Sequence, residues 1–299
     1  MESHCIRIGF ALALLAAFSM TEPQTCYSQL EDPYSGLDPP GLTPRLFAPE
    51  ILSEGDYREY VYVIPPGEMA CVFDRHADHG FPQGEIFISR FVDGQWTEPE
   101  LFEVFREYDS VFLPTVSPDG NRWFFTSDSI PLSTGEEGRI PLFYIERTED
   151  GWTQPEYVGQ YIHASATTDG TLFVIVEGRD WSRPAFRALT DGGYSDCRFL
   201  EPAEYFTEND GHLVVDPQGT YVIFDSQSRP RIGECRLFVS FRTDAGTWTR
   251  PASMGRYIEH RAALAWISSD GKYIFYRAGD DVYWVSAGIV EKLKPQEAE

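Results

Sequence analysis

One turn recurs five times along the chain, and it constrains the fold more than any other feature of the 299 residues. It is read as Pro65-Pro66-Gly67, Ser117-Pro118-Asp119-Gly120, Thr168-Asp169-Gly170, Asp216-Pro217-Gln218-Gly219 and Ser269-Asp270-Gly271. Proline presets φ for the first turn position, aspartate accepts a backbone hydrogen bond, and glycine takes the φ > 0 site that closes a tight hairpin. A β-branched and aromatic run follows each copy: Cys71-Val72-Phe73, Trp123-Phe124-Phe125, Leu172 to Ile175, Tyr221 to Phe224 and Tyr273 to Tyr276. The glycines are 53, 50, 49 and 52 residues apart. Spacing of that regularity signals a repeat architecture.

Each repeat supplies more than one hairpin. A third strand follows 11 to 22 residues after the turn glycine, as in Ile86-Phe87-Ile88, Leu142-Phe143-Tyr144-Ile145, Ala185-Phe186-Arg187, Leu237-Phe238-Val239 and Val282-Tyr283-Trp284. Beyond it come Gly94-Gln95-Trp96 with Pro99, Gly151-Trp152 with Pro155, and Gly246-Thr247-Trp248 with Pro251. Proline is tolerated at the start of an outer strand, whose edge needs no N–H there. The third repeat departs from this pattern: Gly193-Tyr194 is followed only at Pro202, which reads as an insertion around Asp196 to Leu200. Four antiparallel strands per repeat define a propeller blade.

The fifth repeat stops after Ser286 without a Trp-x-x-Pro segment, whereas Pro44-Arg45-Leu46-Phe47 matches Pro99-Glu100-Leu101-Phe102. The fold class expected is therefore all-β: a single propeller of five four-stranded blades, with an N-terminal strand completing the last blade. Six blades is the alternative if residues 27 to 57 form more than one strand. Closure of this kind removes open sheet edges.

Composition agrees with a packed β domain, with 42% hydrophobic and 15% aromatic residues. A formal net charge of −23 disfavours nucleic-acid binding, because an acidic field repels phosphate backbones. Arg7 precedes the apolar run Ile8 to Met20, which is too short to span a bilayer and reads as a secretory signal. The expected organisation is a signal peptide over 1–25, a linker over 26–41, the propeller over 42–295 and a tail over 296–299. The mature chain is then periplasmic or extracellular, a monomer without a transmembrane segment. Cys26 is preceded by Pro23-Gln24-Thr25, which does not suit a lipid-anchor signal. Cys71, Cys197 and Cys235 form no C-x-x-C pair, so a zinc ribbon is excluded and no disulfide is assigned.

The turn Ser117-Pro118-Asp119-Gly120 with Phe124-Phe125-Thr126-Ser127-Asp128, the run Leu142-Phe143-Tyr144-Ile145-Glu146-Arg147 and the Gly-x-Trp-x-x-Pro elements resemble the TolB-like propeller repeat of exported bacterial proteins. The first turn lacks the aspartate, the fourth shifts it, and the third has neither serine nor proline before Asp169. The resemblance implies a propeller outside the cytoplasm, engaged mostly in protein or carbohydrate interaction, and carries no catalytic motif.

Ligands of propellers bind where the innermost strands converge on the channel. The starts of those strands hold Arg58, Glu59, Asp109, His163, Asp210, His212, His260 and Arg261, which are the ligand-binding candidates. Glu59, Asp109 and Asp210 are the candidate catalytic acids, since glycoside hydrolysis uses paired carboxylates. His163 and His212 each stand seven residues before their turn glycines, at equivalent places on neighbouring blades. A third metal ligand is not placed by the sequence, so no metal and no cofactor are assigned. The recurring Asp119, Asp169, Asp270, Trp96, Trp152 and Trp248 are read as blade-building residues. The function expected is a non-catalytic propeller of the cell envelope that binds a protein or glycan ligand. The alternative is a glycoside hydrolase or other carbohydrate-active enzyme.

Overall fold

A computed structural model describes residues 37–47, 58–63, 65–67, 70–76, 84–131, 141–177, 181–191, 193–279 and 281–295. The apolar run read as an export signal, Cys26 and the tail lie outside the described residues.

Five antiparallel sheets follow one another around a ring. The first comprises Arg58–Val63, Ala70–His76, Glu85–Val92 and Glu100–Leu101; the second Val111–Val116, Arg122–Ser127, Leu142–Thr148 and Glu156–Gly159. The third comprises Tyr161–Ala166, Leu172–Glu177, Ser182–Arg187 and Arg198–Phe199; the fourth Asp210–Val215, Tyr221–Ser226, Leu237–Phe241 and Ala252–Ser253. The segment read as an insertion in the third repeat thus forms that blade's outer strand. The fifth sheet takes Ala262–Ile267, Tyr273–Ala278 and Asp281–Ser286 from the C-terminal end, and Arg45–Leu46 from the other. Arg45 pairs with Trp284 and Leu46 with Tyr283, so the last blade is closed by the N-terminal strand. A single helical turn, Gly288–Glu291, follows it.

The turns show why their residues recur. Asp119 accepts the Asn121 N–H at 3.1 Å and the Ser117 hydroxyl, while Ser117 Oγ accepts the Arg122 N–H at 3.0 Å. Asp270 and Ser268 repeat this arrangement. In the fourth turn Asp216 does both tasks, accepting from the backbone N–H groups of Gln218, Thr220 and Tyr221. The shifted aspartate of that repeat therefore preserves the hairpin.

The hydrophobic core is divided into five clusters, each lying in the seam between adjacent blades. Strand alternation produces the division. Cys71 and Phe73 face the seam with the fifth blade, and Ala70 and Val72 face the second. Phe124 faces the third blade, while Trp123 and Phe125 face the first. Trp248 packs edge-on against Phe173 across the seam between the third and fourth blades, a packing role. Among the described residues, Cys197 and Cys235 are free thiols.

Candidate functional site

All five innermost strands shift register at the same place: between Glu59 and Tyr62, Phe112 and Thr115, Tyr161 and Ala164, Gly211 and Val214, and Ala263 and Ala265. A bulge of this kind re-aims side chains. The residues seven before the turn glycines, Tyr60, Leu113, His163, His212 and Leu264, all fall within it. Leu113, His212 and Leu264 take φ of 53°, 42° and 51°, a left-handed conformation that non-glycine residues adopt rarely and that clusters at functional sites.

Side chains from neighbouring blades hold this backbone. Asp74 accepts the Leu113 N–H at 3.1 Å, Ser165 Oγ accepts the Val215 N–H at 3.1 Å, and Asp225 accepts the Leu264 N–H at 3.4 Å. Each bond ties one blade to the next.

A cavity of about 710 Å³, counting the space open to solvent, occupies the end of the channel where the innermost strands run into their turns. His163, His212 and Leu264 line it together with Thr115, Val116, Ser165, Val214, Trp266 and Ser268. His163 is 5% exposed, and its ring meets that of His212 edge-on at 6.3 Å between centroids. His212 Nδ1 lies 3.0 Å from Asp225 Oδ2.

The two imidazoles are driven apart in basicity. Burial, with the neighbouring His212, lowers His163 to about 4. Burial also opposes charge on His212, but Asp225 and then Glu177 outweigh it and raise its pKa above 6.5. Asp225 would be raised by burial, yet His212 and the Leu264 N–H hold it below the usual carboxylate value. Pairs of titratable groups pushed apart in this way mark acid–base assignments.

The depression of His163 has a consequence for stability. Between pH 6.5 and about 4 the unfolded chain binds a proton that the folded chain refuses, so acidification through this window is destabilising. The loss expected is about 3 kcal/mol at full extent. Urea unfolding of wild type and His163→Leu at pH 6.5 and 4.5 checks it: the wild type should lose stability more steeply, and parallel losses would contradict the assignment.

Of the other residues singled out from the sequence, Arg58 and Glu59 lie at the start of the first blade's inner strand, paired with His76 and Arg75 in register. Asp109 is an exposed loop residue whose carbonyl accepts the hydroxyls of Ser127 and Ser129. Asp210 is completely buried, ion-paired with Arg229 and bonded to Thr207, so it fastens a loop instead of facing the cavity. His260 stacks on Tyr283 at 4.0 Å, and Arg261 is exposed; neither lines the cavity. Among the candidates whose side chains are described, the structure brings together His163 and His212. It adds Asp225 and Thr115, which sequence reasoning did not single out. The one available signal for Asp225 is the ending Phe-Asp shared by Cys71 to Asp74 and Tyr221 to Asp225. Among the described residues, no group of three or more His, Cys, Asp or Glu is arranged to hold a metal ion.

Fold and channel together define a five-bladed β-propeller. No protein-family model matches the sequence, and no curated protein matches it. Solved structures do. A protein of unknown function from Dyadobacter fermentans is 15% identical with a TM-score of 0.50, over 79% of this chain and 78% of that one. A gluconolactonase from Xanthomonas campestris is 15% identical with a TM-score of 0.45, over 82% and 95%. A putative 6-phosphogluconolactonase from Bacteroides uniformis is 16% identical with a TM-score of 0.38, over 71% and 62%. At these identities the likeness is one of fold.

The expectation of a non-catalytic binding module is corrected here. Structures similar to it include proteins described as gluconolactonases.

Proposed function

We propose that the chain is a hydrolase that opens a carbohydrate-derived lactone or ester within the channel, with His212 as general base and Asp225 as its positioning residue. One observation carries the reading: the Asp225 carboxylate holds Nδ1 of an imidazole on the cavity wall. A carboxylate on Nδ1–H fixes the tautomer and leaves Nε2 as the basic atom.

The chemistry then balances simply. A water oxygen attacks the carbonyl carbon while its proton passes to Nε2 of His212, and Asp225 stabilises the imidazolium. The C–O bond to the ring or ester oxygen breaks, and that oxygen takes the proton from Nε2. Hydrolysis of a glycoside would instead call on two carboxylates flanking the bond. Asp74 and Asp225 are each engaged by a histidine. This favours acyl over glycosidic chemistry within the carbohydrate-active class.

We also propose, from the apolar run Ile8 to Met20, that the enzyme acts outside the cytoplasm as a monomer. The Ser117-Pro118-Asp119-Gly120 turn supports kinship with TolB-like propellers. The test of function is a hydrolysis screen of sugar lactones and acylated sugars with the purified protein and with His212→Gln. Turnover should disappear in the variant; turnover that persists unchanged removes His212 from the chemistry.

A further inference from the structure

Hydrocarbon makes up most of the cavity wall beside His212. Val116, Ala166, Val214, Leu264, Trp266 and Ile267 bring it from four blades, on the innermost strands Val111–Val116, Tyr161–Ala166, Asp210–Val215 and Ala262–Ile267. In a chain with 47 acidic side chains and 24 lysines and arginines, none of either kind stands among the described lining residues. His212, the base of the chemistry proposed above, lines the same cavity with its side chain partly exposed. The surface next to the reacting atoms is therefore apolar.

The hydroxyls on that wall are largely engaged already. Ser165 Oγ accepts the Val215 N–H at 3.1 Å. Ser268 donates to Asp270 at 2.6 Å and accepts the Tyr273 N–H at 2.9 Å. Thr115 Oγ1, which has no partner among the described residues, and Nδ1 of His163 are enclosed within the wall, out of a ligand's reach. The polar side chains left to meet a ligand are His212 and, in the fifth turn, Ser269. A ligand with a hydroxyl on every carbon would lose water there and find few partners, at a cost for each bond left unmade. A hydrocarbon chain gains instead from each methylene it buries.

We infer that the cavity is an acyl subsite: of the lactones and esters open to the hydrolase reading, the substrate is a sugar carrying an aliphatic acyl group, whose chain lies against Val214 and Leu264. The bond broken is then the one between the acyl carbon and the sugar oxygen. Water supplies the hydroxyl of the released carboxylic acid and the proton of the freed sugar alcohol. In calling this ligand a substrate, the inference rests on the hydrolase reading. The preference of the cavity for hydrocarbon over hydroxyls does not.

Two measurements test it and keep the two readings apart. In the first, kcat/KM is compared for glucose esterified at one hydroxyl with acetate, butanoate or hexanoate. Each added methylene should raise kcat/KM about three- to fourfold, and the gain should shrink in Leu264→Asn. Asparagine tolerates the left-handed φ of 51° at this position, so the variant changes the wall and not the backbone. Val116→Asn keeps the test open should Leu264→Asn not fold. A rate independent of chain length in wild type, or a gain unchanged in the variant, overturns the inference. In the second, calorimetry follows binding of hexanamide and of gluconamide, which share one carbon skeleton and differ in their hydroxyls. Hexanamide should bind about tenfold or more tightly than gluconamide, and should weaken in either variant. That result supports the inference even where no ester is turned over, an outcome that would remove only the hydrolase reading. Gluconamide bound as tightly as hexanamide, or binding of neither, overturns it.

Discussion

Phe47→Ala is expected to lower the stability of the protein by about 3–5 kcal/mol, measured as the change in unfolding free energy in urea. The two-residue strand that closes the last blade presents exposed side chains, so its apolar anchorage falls on the next residue. Phe47 is 1% exposed and stands in the seam between the first and last blades. Its ring meets Trp96, Phe275 and Trp284 edge-on at 5.8, 5.0 and 5.5 Å. Its N–H donates to the Val282 carbonyl at 2.9 Å. Alanine would leave a cavity walled by three large rings that cannot collapse without moving both blades. Leu46→Ala, at a position 46% exposed, is the control and should stay within about 0.5 kcal/mol. A loss below about 1 kcal/mol for Phe47→Ala would mean that the N-terminal strand does not lock the ring.

Asp225→Asn separates the chemical role of this residue from its structural one. The asparagine side-chain oxygen can still accept the Leu264 N–H, so the tie between the fourth and fifth blades survives. What disappears is the charge that stabilises the His212 imidazolium and fixes the tautomer. Turnover should fall about 10²–10⁴-fold with little change in stability. The pH profile should move as well. His212 must be unprotonated to act, so activity climbs with pH through its raised pKa. The groups facing it are Asp225, Glu177 and His163. Removing the Asp225 charge leaves burial to dominate and shifts the climb towards acid. A profile that keeps its position would exclude the pair from the rate-determining chemistry.

Much of the scaffold is legible in the residues themselves. Turn glycines, aromatic runs and the missing outer strand of the fifth repeat prescribe five blades and their closure. Local rules suffice there, because a hairpin needs its glycine and aspartate wherever it occurs. The site is less legible. Counting back seven residues from each glycine finds His163 and His212, since they share one backbone position. Asp225 escapes because it lies on the second strand, beside the register shift, where its carboxylate meets His212. Asp210 misleads in the opposite sense: the sequence places it at a strand start but does not show Arg229 folding over it. Thr115 has no sequence signal at all; its interest arises from lacking a partner, a property of packing alone.

The five equivalent bulges give the molecule a modular address system. Each blade sets one residue at the same bulge address, written Tyr60, Leu113, His163, His212 and Leu264, of which His163, His212 and Leu264 line the cavity, while turns and seams elsewhere carry the architecture. A change of letter at one address leaves the other four and the hairpins intact. Chemistry could thus be rewritten one substitution at a time on a scaffold that need not be redesigned, and Leu264 is the address at which a new functional group could be introduced beside the two histidines.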